Sequence, residues 1–203
     1  MKNGTLWVTG NDEADALLNR DPLALLIGML LDQQIAIELA FLGPFRLAER
    51  LDTVDLDAQV IADMDPDAFL AIVATKPALH RFPKSMGGRI QALCQYVVDH
   101  YDGDAAAIWR GIRSADALRD RLLALPGYGD EKVKIFVALL AKRFAKHPKG
   151  WEDVAGDYAD DLPRSVADLD SAEALAALRD RRAALKAALK AAKKAAKKKA
   201  AEK

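Results

Sequence analysis

Cysteine is almost absent from this chain of 203 residues, which contains only Cys94. An internal disulfide needs two thiols and a four-cysteine iron–sulfur or zinc site needs four, so the sequence excludes both. We expect Cys94 to be a buried bystander. We also expect the protein to work without a metal or organic cofactor.

Long apolar runs and strand-like alternation are also missing. No apolar run reaches the roughly 18 residues that a membrane span requires, and no basic region followed by an apolar core opens the sequence. We therefore expect a cytoplasmic protein with no membrane partner and no signal peptide. Helical spacing predominates, with residues 5–10 as a candidate short strand, so the sequence predicts an all-α protein.

The chain has 30 basic and 30 acidic residues, but the two signs are separated along it. Residues 171–203 hold 11 Lys and Arg against 3 Asp and Glu, a net charge of +8, whereas the remainder holds 19 against 27, a net charge of −8. We predict a folded domain at 1–170, then an amphipathic helix that runs into a Lys/Ala tail at 171–203. This tail resembles those of some bacterial nucleoid and linker-histone-like proteins, and it would add salt-sensitive affinity for DNA in the nucleoid.

Two Asp-Pro pairs mark helix starts. Asp21 and Asp65 are good N-caps, and the proline after each suits the first helical turn. Beyond Asp21, apolar residues recur at steps of three and four. This spacing predicts one buried helix that continues through Gln34 and Glu38 until Gly43-Pro44 ends or interrupts it.

The stretch LLALPGYGDEKVKIF, residues 122–136, places a Pro-Gly-Tyr-Gly turn between two apolar helices. Gly127 and Gly129 permit positive φ and remove the Cβ atoms that would block close approach. The free amides at the start of the second helix form an anion site, to which Lys132 and Lys134 add positive charge. A phosphate suits this site, and a monovalent cation at the turn is a second ligand to consider. In the structural alternative the glycines only make the turn.

The string LPGYGDEKVKIF resembles the helix-hairpin-helix motif, Leu-Pro-Gly-hydrophobic-Gly, of the endonuclease III-like (HhH-GPD) DNA glycosylases. Upstream, LLIGMLLDQQIAIELAFLGPFRLAERL is similar to the family's early helix, where a glutamine-bearing segment lines the DNA-facing cleft. The stretch KPALHRFPKSMGGRIQALCQYVVDHYDGD is similar to the family's intervening region. Together the resemblance covers roughly residues 20–155, with the hairpin itself at about 122–140.

This resemblance implies an all-α, two-lobed fold with a cleft between the lobes, and a monomeric enzyme that acts on double-stranded DNA. Such enzymes bend DNA, flip a damaged base into the cleft and hydrolyse its N-glycosidic bond. Gly127 and Gly129 would hold a backbone phosphate near the lesion. Gln33 and Gln34 would face the DNA and fill the space left by the flipped base, unless they are ordinary exposed polar residues of the helix.

The sequence departs from the family pattern at two positions. Members that also nick the strand carry a lysine two residues after the second motif glycine, where this chain has Glu131. Lys132 comes one residue later, about 100° around a helix, so we expect a phosphate contact there and a monofunctional enzyme without lyase activity. Direct counting places the family's catalytic aspartate at Lys149. A short insertion would instead make Asp153 the first candidate, with Glu152 beside it.

Glu38 is a second candidate for the catalytic carboxylate, because it follows Gln34 by four residues and would share its helix face. Asp32 could serve in the same way, and an ordinary solvated position is the alternative for Glu38. A carboxylate suits this chemistry because the departing base leaves an oxocarbenium-like sugar. Its negative charge stabilises that cation or orients the attacking water.

Several other residues have more ordinary expected roles. His80 lies in a turn-rich connection before a helix that Ser85 is predicted to cap, where it would contact the opposite DNA strand or simply be exposed. Trp109 and Trp151 are expected to anchor the core or a loop, and Tyr128 to pack its ring between the hairpin helices.

Two other functions compete with a glycosylase. The displaced lysine and the missing acid at position 149 favour a non-catalytic helix-hairpin-helix protein that binds DNA. An all-α interaction protein without a nucleic-acid partner is the third hypothesis.

Overall fold

The computed structural model describes residues 6–201, with side chains described through residue 193. Within that range the chain is helical and contains no strand, which confirms the all-α prediction. Its ten α-helices are α1 (Asp12–Arg20), α2 (Pro22–Leu31), α3 (Ile37–Arg50), α4 (Ala58–Asp63), α5 (Pro66–Ala74), α6 (Pro83–Tyr101), α7 (Ala115–Leu123), α8 (Asp130–Phe144), α9 (Trp151–Ala155) and α10 (Ala172–Ala201). Short 3-10 helices lie at Ala105–Ile108, Gly156–Ala159 and Val166–Asp168.

The strand considered at residues 5–10 is wrong for the described positions 6–10. The backbone amides there are satisfied without a neighbouring strand. Asp15 Oδ1 accepts from the amides of Val8 and Thr9 at 3.1 and 3.0 Å. The amide of Trp7 donates to the carbonyl of Leu169 at 3.2 Å, so this segment is held against the body of the protein as a loop.

Both Asp-Pro helix starts are confirmed. Asp21 Oδ1 accepts from the amides of Leu23 and Ala24 at 2.8 and 3.2 Å, and its Oδ2 accepts from the amide of Leu56 at 2.9 Å. Burial raises the pKa of the Asp21 carboxyl, although these three hydrogen bonds act in the opposite direction. Asp65 caps α5 in the same way through two amides at 3.1 and 3.0 Å.

The prediction of one continuous helix beyond Asp21 is wrong, because residues 32–36 separate α2 from α3. The amide of Gln33 donates to the carbonyl of Leu31 at 2.7 Å, two residues back instead of four. Gln34 then takes φ 57°, in the left-handed region. Glu38 therefore lies in the first turn of α3, and it does not share a helix face with Gln34, which is outside any helix.

The expectation that Gly43-Pro44 ends or interrupts a helix is also wrong, since α3 runs through both residues. Close packing of α2 against α3 explains why the helix tolerates them. A Cβ on Gly43 would lie 2.5 Å from Leu31 Cδ1, and one on Gly28 would lie 2.8 Å from Phe41 Cδ1. Missing side chains thus allow two apolar helices to approach, and burial of their faces offsets the hydrogen bond that a proline cannot donate.

Ser85 does not cap α6 as predicted, because that helix begins at Pro83 with Phe82 as its N-cap. Proline suits the first position of a helix, where its missing N–H has no intrahelical partner in any case. Cys94 lies on the buried side of α6, and burial raises the pKa of its thiol well above the usual range. The expectation that Cys94 is buried is confirmed.

Helix α10 begins at Ala172, and its first apolar residues are anchored in the core. Leu175 and Leu178 are buried, whereas Leu185 and Leu189 are 51% and 63% exposed. The apolar stripe predicted from the leucine spacing is therefore covered only in its first part. No helix among the described residues is long and apolar enough to cross a membrane.

Candidate nucleic-acid interface at the turn between helices 7 and 8

The turn between α7 and α8 comprises residues 124–129, and Gly127 is its most constrained position. Its φ is +83°, and a Cβ there would overlap Cδ1 of Leu30 in α2. The missing side chain at Gly127 therefore serves the fold, since it lets the turn lie directly against α2. Close approach of the backbone is confirmed here, and the group that approaches is Leu30.

Tyr128 locks the same turn to α2. Its side chain is buried, its hydroxyl donates to the carbonyl of Leu26 at 2.8 Å, and its ring meets Phe136 edge-on at 6.0 Å between centroids. The expected packing of Tyr128 against the hairpin is confirmed. Trp109 also contacts Phe136, at 5.7 Å between ring centroids, which confirms a core role for that residue.

Gly129 is the N-cap of α8, and it differs from Gly127 both in backbone conformation and in the space around its Cβ position. Its φ is −113°, which any residue adopts, and a Cβ there would meet nothing within 4 Å. No described side chain caps this end of α8. The amides of the first turn consequently lie at an open surface, which is the arrangement that an anion needs.

Two acidic residues occupy the first turn of α8, and each is engaged by a neighbour. Asp130 accepts from Arg119 at 3.1 Å, while Glu131 accepts from the hydroxyl of Tyr158. The pKa of Tyr158 is raised to about 12, mainly by burial and secondly by this hydrogen bond to Glu131. Arg119 offsets one of the two negative charges that would otherwise oppose a phosphate at this helix end.

Lys132 points away from the open surface and into the seam with α2. Its ammonium donates to the carbonyls of Met29, Leu30 and Asp32, the last two at 3.2 Å. These are carbonyls at the carboxyl end of α2, which lack intrahelical partners and carry the negative end of the helix dipole. Burial lowers the pKa of Lys132 to about 8, while the charge of Asp32 acts in the opposite direction. In this position Lys132 caps α2, whereas Lys134 is exposed.

Residues 32–34 are held in place from three sides. The Gln33 carbonyl is 2.8 Å from Nε2 of His80, and the Gln33 side-chain oxygen accepts from Arg89 at 3.1 Å. The side-chain amide of Gln33 donates to the carbonyl of Leu30 at 3.0 Å. Gln34 is left exposed at the tip of the segment. His80 is buried, with its other ring nitrogen accepting from the amide of Phe82, so the exposed position expected for it is wrong. Both of its ring nitrogens are engaged within the protein.

The candidate carboxylates do not converge on one point. Glu38 accepts from the Nε of Arg179 in α10 at 2.7 Å. Glu152 and Asp153 are exposed in the first turn of α9, a helix of five residues. Asp153 Oδ2 lies near the N-cap Gly150, as an acid at the third position of a helix commonly does.

A cleft of about 440 Å³ lies beside the first turns of α8. Glu131, Lys134 and Tyr158 line one part of it, and Arg181 and Arg182 from α10 line another. Arg182 also lies near enough to Asp32 to act on the pKa of that carboxyl. The start of α8, the segment after α2 and the first half of α10 thus contribute to one polar region.

Among the described residues, no group of three or more His, Cys, Asp or Glu side chains could hold a metal ion. Comparison of the chain with models of protein families, with curated proteins and with solved structures finds no match.

Proposed function

We propose that this protein is a DNA glycosylase-like enzyme of base excision repair, which binds duplex DNA through the α7–α8 turn. In this proposal the turn is a helix-hairpin-helix motif within a two-lobed fold, and the enzyme hydrolyses the N-glycosidic bond of a flipped base without cutting the strand. The observation that carries the proposal is the open, uncapped amino end of α8 at Gly129. Backbone amides and a helix dipole bind a phosphate without regard to base sequence.

The surroundings of this helix end support the same partner. Four basic side chains, among them Lys134, line the adjacent cleft against the two acidic side chains of Glu131 and Asp157. Gln34 is exposed on a rigid segment, which is a suitable support for a side chain that enters the space of a missing base. Lys132 is committed to the end of α2, and a monofunctional enzyme does not need its amine as a nucleophile.

A non-catalytic DNA-binding protein is the second candidate, and specific observations favour it. Asp153 and Glu152 are exposed surface residues without a described partner, and Glu38 is engaged by Arg179. None of these three acids therefore combines a desolvated carboxylate with the absence of an ion-pair partner, as a catalytic base would require.

The proposal is tested with duplexes that each contain one lesion: uracil, hypoxanthine, 8-oxoguanine, a methylated purine or an oxidised pyrimidine. We expect release of a free base, measured by mass spectrometry, and strand breaks only after alkali. Absence of release from every duplex, with binding intact, would support the non-catalytic candidate. Absence of both would remove the nucleic-acid proposal altogether.

The phosphate site predicts that duplex binding depends on a lysine near the start of α8 and not on a lysine beyond its end. Gly129→Asp and Lys134→Gln should weaken duplex binding, the first by at least tenfold because a carboxylate would occupy the place of the phosphate. Lys146→Gln is the matched control, because Lys146 lies beyond Phe144, the last residue of α8. The helix of 15 residues, about 22 Å long, separates it from Gly129. Fluorescence anisotropy would measure the dissociation constants. Equal weakening by Lys134→Gln and Lys146→Gln would contradict a localised site.

The lysine-rich end of α10 is expected to add affinity without specificity. Truncation after residue 192 removes six lysines and one glutamate and leaves the arginines of the cleft in place. The truncated protein should bind undamaged duplex more weakly, with a shallower dependence of log K on log salt, by about 0.9 per lost phosphate contact. Identical salt slopes for the two proteins would show that the tail does not contact DNA.

A further inference from the structure

The side chain of Asp32 has no described partner, in contrast to Glu38, Asp130 and Glu131, which are each engaged by a neighbour. Asp32 follows α2 directly and is half-buried. Among the residues that the structure describes, no donor is hydrogen-bonded to its side chain and no basic group forms an ion pair with it. Among the described residues, the fully buried side-chain oxygen without a hydrogen-bond partner is Asp15 Oδ2. The oxygens of Asp32, which also lack a partner, are therefore not fully buried. A small molecule such as water can therefore reach the Asp32 carboxylate.

The electrostatic surroundings of Asp32 keep its proton affinity high. Burial raises the pKa of this carboxyl, the charges of Lys132 and Arg182 lower it, and the charge of Glu38 raises it, with burial as the largest effect. A carboxylate that accepts a proton readily is a better general base than an ordinary surface aspartate. Asp153 and Glu152, both exposed, lack this desolvation.

The backbone of Asp32 is held as an active-site residue requires. Lys132 donates to the Asp32 carbonyl at 3.2 Å, and His80 and Arg89 fix Gln33, the next residue, through its carbonyl and its side chain. These contacts join α2, α6 and α8 around one short segment. The Asp32 side chain is consequently presented from rigid elements, next to the exposed Gln34.

We propose that Asp32 is the catalytic carboxylate of this site, and that it takes a proton from the water that replaces the base. The inference rests on the proposed glycosylase function. In the reaction, the bond between C1′ and the base nitrogen breaks, its electron pair leaves with the base, and the base takes up a proton. The oxygen of water forms a bond to C1′, and one of its protons passes to the Asp32 carboxylate. Asp32 then returns that proton to solvent, which supplies the proton taken up by the base. Atoms and charge balance as one water added across one N-glycosidic bond.

The test compares Asp32→Asn with wild type on whichever duplex of the five-lesion panel the wild type processes fastest. We expect a loss of at least about 100-fold in the single-turnover rate of base release. Duplex affinity and the unfolding midpoint should not fall, because asparagine has the same shape, carries no charge that burial would penalise, and loses no side-chain hydrogen bond of Asp32. Asp67→Asn, at an exposed position of α5, is the matched control and should retain the wild-type rate within about threefold. Asp153→Asn tests the competing candidate for the catalytic carboxylate.

A pH profile supplies a second readout that a structural role would not move. Wild-type base release should fall as pH decreases, with an apparent pKa above the value of about 3.9 for an ordinary aspartate. The residual activity of Asp32→Asn should lack that acidic limb. Asp32→Glu, which keeps the carboxylate, should restore part of the rate and the limb even if the asparagine variant folds poorly.

The outcomes separate this inference from the function on which it rests. Wild-type activity that persists in Asp32→Asn, or that is lost in Asp153→Asn instead, would overturn the role of Asp32 and leave the glycosylase proposal standing. No base release by the wild type from any of the five duplexes would overturn both.

Discussion

Replacement of Gly127 with alanine is expected to destabilise the protein by about 2–4 kcal/mol. An L-residue is strained at a φ of +83°, and the added Cβ would overlap Leu30 Cδ1, so the turn and α2 would have to separate. The free energy of unfolding from urea titration, followed by circular dichroism, measures the effect.

Gly88→Ala is the matched control for this substitution. Gly88 lies inside α6, and a Cβ there would meet nothing within 4 Å. The same chemical change should therefore stabilise the protein, by about 0.5–1 kcal/mol, because alanine favours a helix over glycine. A Gly127→Ala protein as stable as wild type would show that the turn does not need the left-handed backbone or the contact with α2.

Replacement of Lys132 with methionine is expected to change how stability depends on pH. The pKa of Lys132 is lowered to about 8 in the folded protein from the ordinary value of 10.5. Between these values the unfolded chain binds more protons than the folded protein, so the contribution of Lys132 to stability rises with pH. The rise amounts to at most about 3.4 kcal/mol, at 1.36 kcal/mol for each of about 2.5 pH units, and it is complete above the unfolded pKa.

The difference between wild type and Lys132→Met isolates this contribution, because other titrating groups act in both proteins. Measured at pH 7, 8.5 and 10, the unfolding free energy of wild type minus that of Lys132→Met should increase as pH rises. Lys134→Met should follow wild type, since Lys134 is exposed. Parallel curves for wild type and Lys132→Met would contradict a lowered pKa of Lys132 in the folded protein.

These two substitutions show why the α7–α8 turn could be found from the sequence although its contacts could not. The pattern Pro-Gly-Tyr-Gly between apolar helices predicts a turn that begins a helix, because glycine and proline act locally on the backbone. Which glycine is closely approached depends on a residue almost a hundred positions away. Gly127 meets Leu30, whereas Gly129 faces open space.

The candidate site departs further from what its sequence pattern predicts. The sequence pattern predicts a phosphate contact for Lys132, yet its ammonium donates to the carbonyls at the end of α2. The turn-rich sequence around His80 predicts an exposed side chain, yet His80 is buried against Gln33. Neither contact can be predicted from local sequence, because the partners of Lys132 and His80 are backbone carbonyls, which every residue has.

Local pattern by itself determined the helical class of the protein, the capped starts of α2 and α5, the apolar faces that form the core, and the existence of the α7–α8 turn. Each of these depends on interactions within a few residues, such as a side-chain cap or a repeat of apolar positions. Tertiary structure alone decided that α2 stops at Leu31, that α3 continues through Gly43-Pro44, and that Asp32 is left half-buried without a partner. The reason is that packing between distant helices determines which backbone groups find a partner, which glycines permit contact and which charges lose water.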